Sequence, residues 1–450
     1  MPKTPQNIQN LPPRHKACIE LLCELIKRQS VTPQECGIYE IIKSNLNQTE
    51  DFQFLHFDKG GVKNLFAYKI LPHATQNKKA PQDNQAQNTM KHFCFMGHID
   101  VVPAGEHWSE NPFGGAIKRG KIYGRGAQDM KAGVACFVRA IVDFANQKQN
   151  LNQNQNKQAQ ITSSAKSSQN PKHCPQDDCF IISILLTSDE EGDGIYGTRY
   201  VLEKLKKLDL LPTHAIVAEP TCEYKFGDII KIGRRGSING SLRVIGKQGH
   251  AAYPQKCLNP IEALAVALPL IAGQKLDNGN KHFSPSMLVA TDIRGGLEVC
   301  NVTPSEVVLR FNLRNSTLTN LSDLEAHLQK AIAMIESKVK GVKCDLTLNQ
   351  SSKPFLSNAD SSLVQNLAKS VEKITHITPE LSTGGGTSDA RFASAFGIEV
   401  AEFGVRNDKI HSIDECVEIA EVLGLYEVFL DFLDNITRQT HTKGFTNENV

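Results

Sequence analysis

Five short segments place acids and histidines beside glycines or at the ends of apolar runs. They are Gly97-His98-Ile99-Asp100, Gly126-Ala127-Gln128-Asp129-Met130-Lys131, Thr187-Ser188-Asp189-Glu190-Glu191-Gly192, Ala218-Glu219-Pro220-Thr221 and Lys409-Ile410-His411-Ser412. Imidazole nitrogen and carboxylate oxygen are zinc ligands, and a catalytic zinc keeps one position open for water. Two zincs that share a carboxylate and a water need about five protein ligands. His98, Asp129, Glu191, Glu219 and His411 make up such a set. Together they point to a two-metal centre that activates water against an amide bond.

Two further acids fit this chemistry. Asp100 lies two residues after His98, on the same side of an extended segment. Its carboxylate is expected to take the ring N–H of His98 and fix the tautomer. Glu190 and Glu191 are adjacent at the end of an apolar run, where both cannot be desolvated without a cation nearby. Their side chains diverge, so one can bind metal while the other acts as a general base of raised pKa.

The elements that must position these residues follow from apolar spacing. Residues 93–99 and 180–187 are short continuous apolar runs, as expected for strands covered on both faces. Residues 14–28, 131–146 and 415–433 show helical spacing. Strands alternating with helices imply an α/β sheet, with ligands at strand ends. From about residue 229 to 348 the pattern changes. Glu306 to Arg314 alternates, with Val307, Leu309, Phe311 and Leu313 on one face. Residues 258–271 and 321–335 read as helices. The expectation is a catalytic domain with a mixed sheet, residues 1–228 and 349–450. Inserted in it is an α+β, ferredoxin-like domain, residues 229–348, running β-β-α-β-β-α and serving dimerisation. Two polar stretches, 73–91 and 147–178, read as solvent loops.

Composition narrows the function classes. The chain has 450 residues, 40% of them hydrophobic, and a formal net charge of +2. That charge gives no electrostatic case for nucleic acid or an anionic membrane. No run reaches the length of a membrane-spanning helix, and the N-terminal residues lack the apolar core of a signal peptide. The 12 cysteines lie mostly in apolar runs, Cys94, Cys136 and Cys300 among them. Reduced, buried thiols in a cytoplasmic protein are expected.

The segments His98-x-Asp100-Val101-Val102-Pro103 and Tyr123-Gly124-Arg125-Gly126-x-x-Asp129-Met130-Lys131-Ala132-Gly133 resemble hallmarks of the di-zinc aminoacylase/carboxypeptidase superfamily of metallopeptidases. The resemblance runs from about residue 17 to 436, apart from the polar stretches. It implies that Asp129 bridges two Zn2+ ions per subunit, with Co2+ as a possible substitute. His98 and Glu219 would complete one position, Glu191 and His411 the other. It makes Glu190 the general base, Asp100 the residue orienting His98, and His250 a histidine reaching across a homodimer interface to the oxyanion. Ile232-Gly233-Arg234-Arg235-Gly236-Ser237 and Ser382-Thr383-Gly384-Gly385-Gly386-Thr387-Ser388-Asp389-Ala390-Arg391 look like the branch that desuccinylates N-succinyl-L,L-2,6-diaminopimelate. That small molecule bears three carboxylates. Arg234, Arg235, Ser237, Tyr253, Asn301, Arg314, Thr387 and Asn407 match substrate contacts. Arg forks suit carboxylates, and glycine-rich turns offer amides to anions. Sister deacylases acting on acetyl substrates would share every metal ligand. Gln128, Ile99 and Asp414 depart from the family pattern, where a small residue, Thr and Asn are more usual.

Overall fold

The computed structural model describes residues 8–72, 91–160 and 179–442. The chain divides into two compact units. The first takes the chain up to Ile232, then Ser357–Leu381 and the part from Ser388 onward; the second takes Gly233–Leu356 and Ser382–Thr387.

The first unit is built on an eight-stranded mixed sheet. Its order is Gln53–His56, Asn64–Pro72, Cys179–Thr187, His92–His98, His214–Val217, Glu399–Glu402, Ile229–Lys231 and Glu380–Ser382. Strand His92–His98 is buried at every residue, which is why its sequence shows no alternation. It runs parallel to Cys179–Thr187 and His214–Val217, and the latter is parallel to Glu399–Glu402. The register pairs His98 with Thr187, Met96 with Val217, and Val217 with Glu402. All four strands therefore end along one edge of the sheet, and the chain leaves each of them carrying a candidate ligand.

Helices Ala132–Gln160 and Ile419–Thr442 cover a face of this sheet through aromatic contacts. Phe95 stacks on Phe137 with centroids 5.4 Å apart and meets Phe429 at 4.8 Å; Phe93 meets Phe432 at 5.1 Å. Each fully buried ring contributes roughly 1.5–3 kcal/mol. Such packing fixes the sheet edge from behind. Two glycines let backbone come closer than packed side chains allow. A Cβ on Gly133 would lie 2.3 Å from the Ala218 carbonyl oxygen, and one on Gly404 would lie 2.2 Å from that of Glu219. The segment bearing Glu219 is thus held between a helix start and a neighbouring loop.

The polar stretch expected as a loop from residue 147 begins instead as helix, since Ala132–Gln160 is continuous. Its residues are polar, but beyond Gly133 none is Pro or Gly, so the helix meets no breaker. Residues 161–178 and 73–90 lie outside the described residues.

The second unit holds four long antiparallel strands in the order Lys343–Ser352, Gly236–Ile245, Glu306–Asn315 and Met287–Gly295, with Gln274–Lys275 at the edge. The long elements run βαββαβ, the ferredoxin-like order, rather than the expected β-β-α-β-β-α. Val307, Leu309, Phe311 and Leu313 are buried with Leu324, Leu328 and Ile335 of helix Leu321–Lys338 in one core. Asn320 and Asp323 cap that helix reciprocally. The helix expected over residues 258–271 is broken into Pro260–Ala265 and a 3-10 turn at Leu268–Leu270. Pro269 lacks the N–H that would continue it. Cys300 is exposed, contrary to expectation, as are Leu297 and Val299 beside it.

One buried titratable group lies at the start of the central strand. His92 is 5% exposed and its Nε2 lies 2.8 Å from Ser183 Oγ. Burial pushes its pKa down to about 3, whereas an unfolded histidine takes a proton near about 6.5. Between those values the unfolded chain holds more protons. This contribution is complete above about pH 6.5 and is lost as pH falls, by up to about 1.4 kcal/mol per unit. In urea melts, the stability advantage of wild type over His92→Gln is expected to shrink between about pH 7 and about pH 5. An advantage that stays constant over that interval would contradict the assignment.

Candidate metal centre

His98 ends its strand with its side chain 1% exposed. Its Nδ1 lies 2.9 Å from the Asp100 carbonyl oxygen, an acceptor, so Nδ1 donates. Nε2, whose lone pair a metal would take, then faces Asp129 Oδ1 at 3.2 Å and Glu219 Oε1 at 3.8 Å. The ring is thus oriented by the main-chain carbonyl of Asp100 rather than, as expected, by its carboxylate, which stands 3.6 Å from Nδ1. That carboxylate also accepts the amides of Glu190 (3.4 Å) and Glu191 (3.1 Å). Asp100 therefore positions both the histidine and the acid pair.

Asp129 is extended (φ −114°, ψ 96°) just ahead of helix Ala132–Gln160. Its two oxygens face different histidines: Oδ1 faces His98 at 3.2 Å, and Oδ2 faces His411 Nε2 at 3.4 Å. His411 Nε2 also lies 2.9 Å from Glu191 Oε1. Two triads share Asp129, namely His98–Asp129–Glu219 and Asp129–Glu191–His411, each with ligand atoms within 4.8 Å of one another. With zinc–ligand bonds of about 2.0–2.1 Å, ligands of a tetrahedral zinc stand about 3.3 Å apart. The 2.9–3.8 Å separations found here fit that size. Geometry alone would also admit Glu190, which groups with His98 and Glu191.

The electrostatics call for cations. Burial first, then the nearby Asp129 carboxylate, pushes Glu219 well above the usual carboxylate range. Burial likewise lifts Glu190 to about 8 and Asp100 to about 6. Burial would raise Asp129 as well, but hydrogen bonds from His411 and His98 carry it down. His411 is raised to about 10, first by Asp129 and then by Glu191. So many acids sharing a buried space hold protons unless a metal replaces them.

A buried ion pair organises the loops around this centre. Glu415, fully buried, accepts from Arg125 Nη1 (2.7 Å) and from the amides of Gly126 (3.0 Å), Gln128 (2.8 Å) and Asp129 (3.2 Å). Arg125 also donates to the carbonyls of Ala104 (3.2 Å), Ser412 (3.3 Å) and His411 (3.4 Å), and lies 5.2 Å from the Trp108 ring. Sequence reasoning passed over Glu415, whose only signal is an acid just before the short strand Cys416–Glu418. The departures are accommodated. Ile99 is fully buried in the core, and Asp414 Oδ1 accepts the Ser109 amide at 2.8 Å.

The profile of Peptidase family M20/M25/M40 matches residues 94–155 and 175–435. The chain belongs to that family. A Helicobacter hepaticus protein named succinyl-diaminopimelate desuccinylase is 49% identical over 420 residues, covering 92% of this chain and 96% of that one. Among solved structures, aminopeptidase PepT of Bacillus cereus aligns with a TM-score of 0.69 at 19% identity, covering 94% of this chain and 98% of that one. The Bacillus subtilis YXEP protein, described as a dinuclear metal-binding peptidase of the M20 family, aligns with a TM-score of 0.63 at 12% identity, over 95% and 99% of the two chains. An M20 chain with this donor set is a metal-dependent hydrolase.

Of the other candidate residues in this M20 chain, Asn407 belongs to the first unit, where its amide donates to the Cys222 carbonyl at 2.9 Å. The rest belong to the second unit. Arg234 is buried and its Nη1 donates to the carbonyls of Gly384 (3.1 Å) and Gly386 (3.3 Å), so it shapes the glycine turn before Thr387. Ser237 is directly opposite Arg314 across two strands. Burial, followed by the positive charge of Arg235, lowers Arg314. His250 is exposed on a two-residue strand, with its ring centroid 5.9 Å from that of Tyr253. Its Nδ1 accepts the Ala252 amide at 3.0 Å, and the Ala251 amide donates to the Asn301 carbonyl at 2.9 Å. Arg391 closes the glycine-rich motif that begins at Ser382. Its Nε is buried and has no hydrogen-bond partner among the described residues.

Proposed function

We propose that this chain hydrolyses N-succinyl-L,L-2,6-diaminopimelate to succinate and L,L-2,6-diaminopimelate. The observation that carries the reaction type is the pair of histidine-and-acid triads sharing Asp129, with the Glu190 carboxyl grouped beside His98 and Glu191. The substrate follows from the name borne by the Helicobacter relative, which is alike over nearly the whole of both chains.

His98, Asp129 and Glu219 would hold one zinc ion, and Asp129, Glu191 and His411 a second; cobalt suits the same nitrogen and oxygen donors. Bound metal supplies Lewis-acid polarisation of the scissile carbonyl and lowers the pKa of the attacking water. Glu190 accepts the proton of that water as its oxygen attacks the succinyl carbonyl carbon. When the C–N bond breaks, Glu190 returns the proton to the leaving nitrogen. Asp100, through the amides it accepts, holds Glu190 in place for both transfers.

The second unit supplies the groups that would read the substrate. Arg235 and Arg314 are like-charged neighbours, and neither pairs with a carboxylate among the described residues. Partly desolvated guanidinium groups of this kind suit substrate carboxylates. Ser237, Thr387, Tyr253 and Asn301 of the same unit, and Asn407 of the first, would add polar contacts. His250 accepts at Nδ1, which leaves Nε2–H to donate to the developing oxyanion of a second copy's site. A homodimer through the second unit is supported by an open edge. Among the described residues, strand Met287–Gly295 pairs on its outer side only at Met287 and Leu288, and Val289, Ile293, Leu297 and Val299 are exposed. Such edges and apolar patches invite a partner.

Three measurements test this reading. Glu190→Gln, folded and metal-loaded, should lose at least about a hundredfold in kcat; wild-type turnover would sink the mechanism. Zinc-loaded enzyme should strongly prefer N-succinyl-L,L-diaminopimelate over N-acetylornithine. Activity on the acetyl compound alone would keep the metal chemistry and overturn the substrate. Glu190→Gln and His250→Ala subunits, each nearly inactive, should recover about a quarter of wild-type activity when refolded together, since mixed dimers then hold one complete site. No recovery on mixing would place His250 in its own subunit's site or outside catalysis.

A further inference from the structure

His411 differs from the other candidate ligands in what stands behind it. His98 ends a buried strand, Asp129 sits at a helix start, and Glu191 and Glu219 follow buried strands. His411 lies in a turn with a left-handed backbone (φ 56°), and its side chain is 48% exposed. Packing therefore does little to hold it, and hydrogen bonds must position the turn.

That turn closes on Lys409. The Lys409 carbonyl accepts the Ser412 amide (3.2 Å) and the Ser412 hydroxyl (2.7 Å). The Lys409 amide in turn donates to Gln128 Oε1 at 2.8 Å, and Gln128 Nε2 donates to Asp408 Oδ1 at 2.9 Å. Only one orientation of the Gln128 amide satisfies both contacts, because the carboxylate needs a donor and the main-chain N–H needs an acceptor. Gln128 is 2% exposed, and its neighbour Asp129 is the acid shared by both triads. One side chain thus ties the loop of the shared ligand to the turn of the exposed one. A small residue at position 128 could not reach either partner.

We infer that Gln128 is a positioning residue that sets the affinity of the metal position completed by His411, through its paired hydrogen bonds to Asp408 and Lys409. This rests on the two-metal reading of the site. The position formed by His98, Asp129 and Glu219 takes no ligand from the 407–412 turn. Loss of the Gln128 contacts should therefore act on one metal position and spare the other.

The test is titration of metal-free protein with Co2+ alone, read by visible absorption and by heat. Wild type should bind in two steps, and His411→Ala identifies which step belongs to His411. Gln128→Met keeps length and burial but removes both hydrogen bonds. It should weaken the His411 step by about 10–100-fold and leave the other within about threefold, with the unfolding temperature of the metal-free protein unchanged. Asp408→Ala, at an exposed position, removes only one contact and should weaken the same step less. The inference is overturned if Gln128→Met binds as wild type does. It is also overturned if both steps weaken alike while the metal-free protein loses stability, which is the mark of a general structural role. A single step in wild type would sink the two-metal reading and this inference together.

Discussion

Asp100, Asp129, Glu190, Glu191 and Glu219 share one largely water-excluded space, with two imidazoles facing them. Removing a single carboxylate from water costs several kcal/mol even after relaxation, and close like charges add to that cost. No apolar packing offsets such a concentration of acid by itself. The arrangement is stable when divalent cations occupy the space between the oxygens, and protons are the poorer substitute. The rest of the first unit can be understood as what is needed to hold these groups together against their repulsion.

The sheet does most of this work. Four parallel strands ending along one edge bring residues more than 300 positions apart in sequence into the same few ångströms. The aromatic layer of Phe93, Phe95, Phe137, Phe429 and Phe432 makes the edge rigid. What the strands cannot reach is held by polar links. Arg125 and Glu415 neutralise each other in the interior while their remaining hydrogen bonds go to backbone of three ligand-bearing segments. A buried pair is weak evidence for stability as such. Here its use is geometric, because each partner has several correctly placed groups to satisfy.

The ligand set was readable in the sequence for a physical reason. A strand covered on both faces is an unbroken apolar run, so an acid or histidine at its end stands out, as His98, Glu191 and Glu219 do. The alternation of Val307, Leu309, Phe311 and Leu313 was equally plain, since one face of that strand meets helix Leu321–Lys338. Less was readable where tertiary contact decides. Gln128 looked like a departure from a family pattern, and Glu415 like an ordinary acid. Their partners lie about 280 residues away, at sequence separations of 280, 281, 286, 287, 289 and 290. Composition misled over residues 147–160, where polar residues without a breaker still form helix, and at residue 269, where one proline interrupts an otherwise helical run.

The difference between strand-borne and loop-borne ligands has a functional side. A hydrolytic site must keep its charge geometry fixed while substrate enters and products leave. Glu219 meets that need through burial, and His98 through burial and its hydrogen bond to the Asp100 carbonyl. His411 stands at the exposed side, where access and rigidity conflict, and neither a strand nor a hydrophobic contact can hold it without closing the way in. Hydrogen bonds from Gln128 and Arg125 resolve the conflict, because they grip the backbone of the turn from behind and leave the imidazole's outer face open. The same logic explains why both Gln128 and Arg125 reach the segment that carries the least buried ligand.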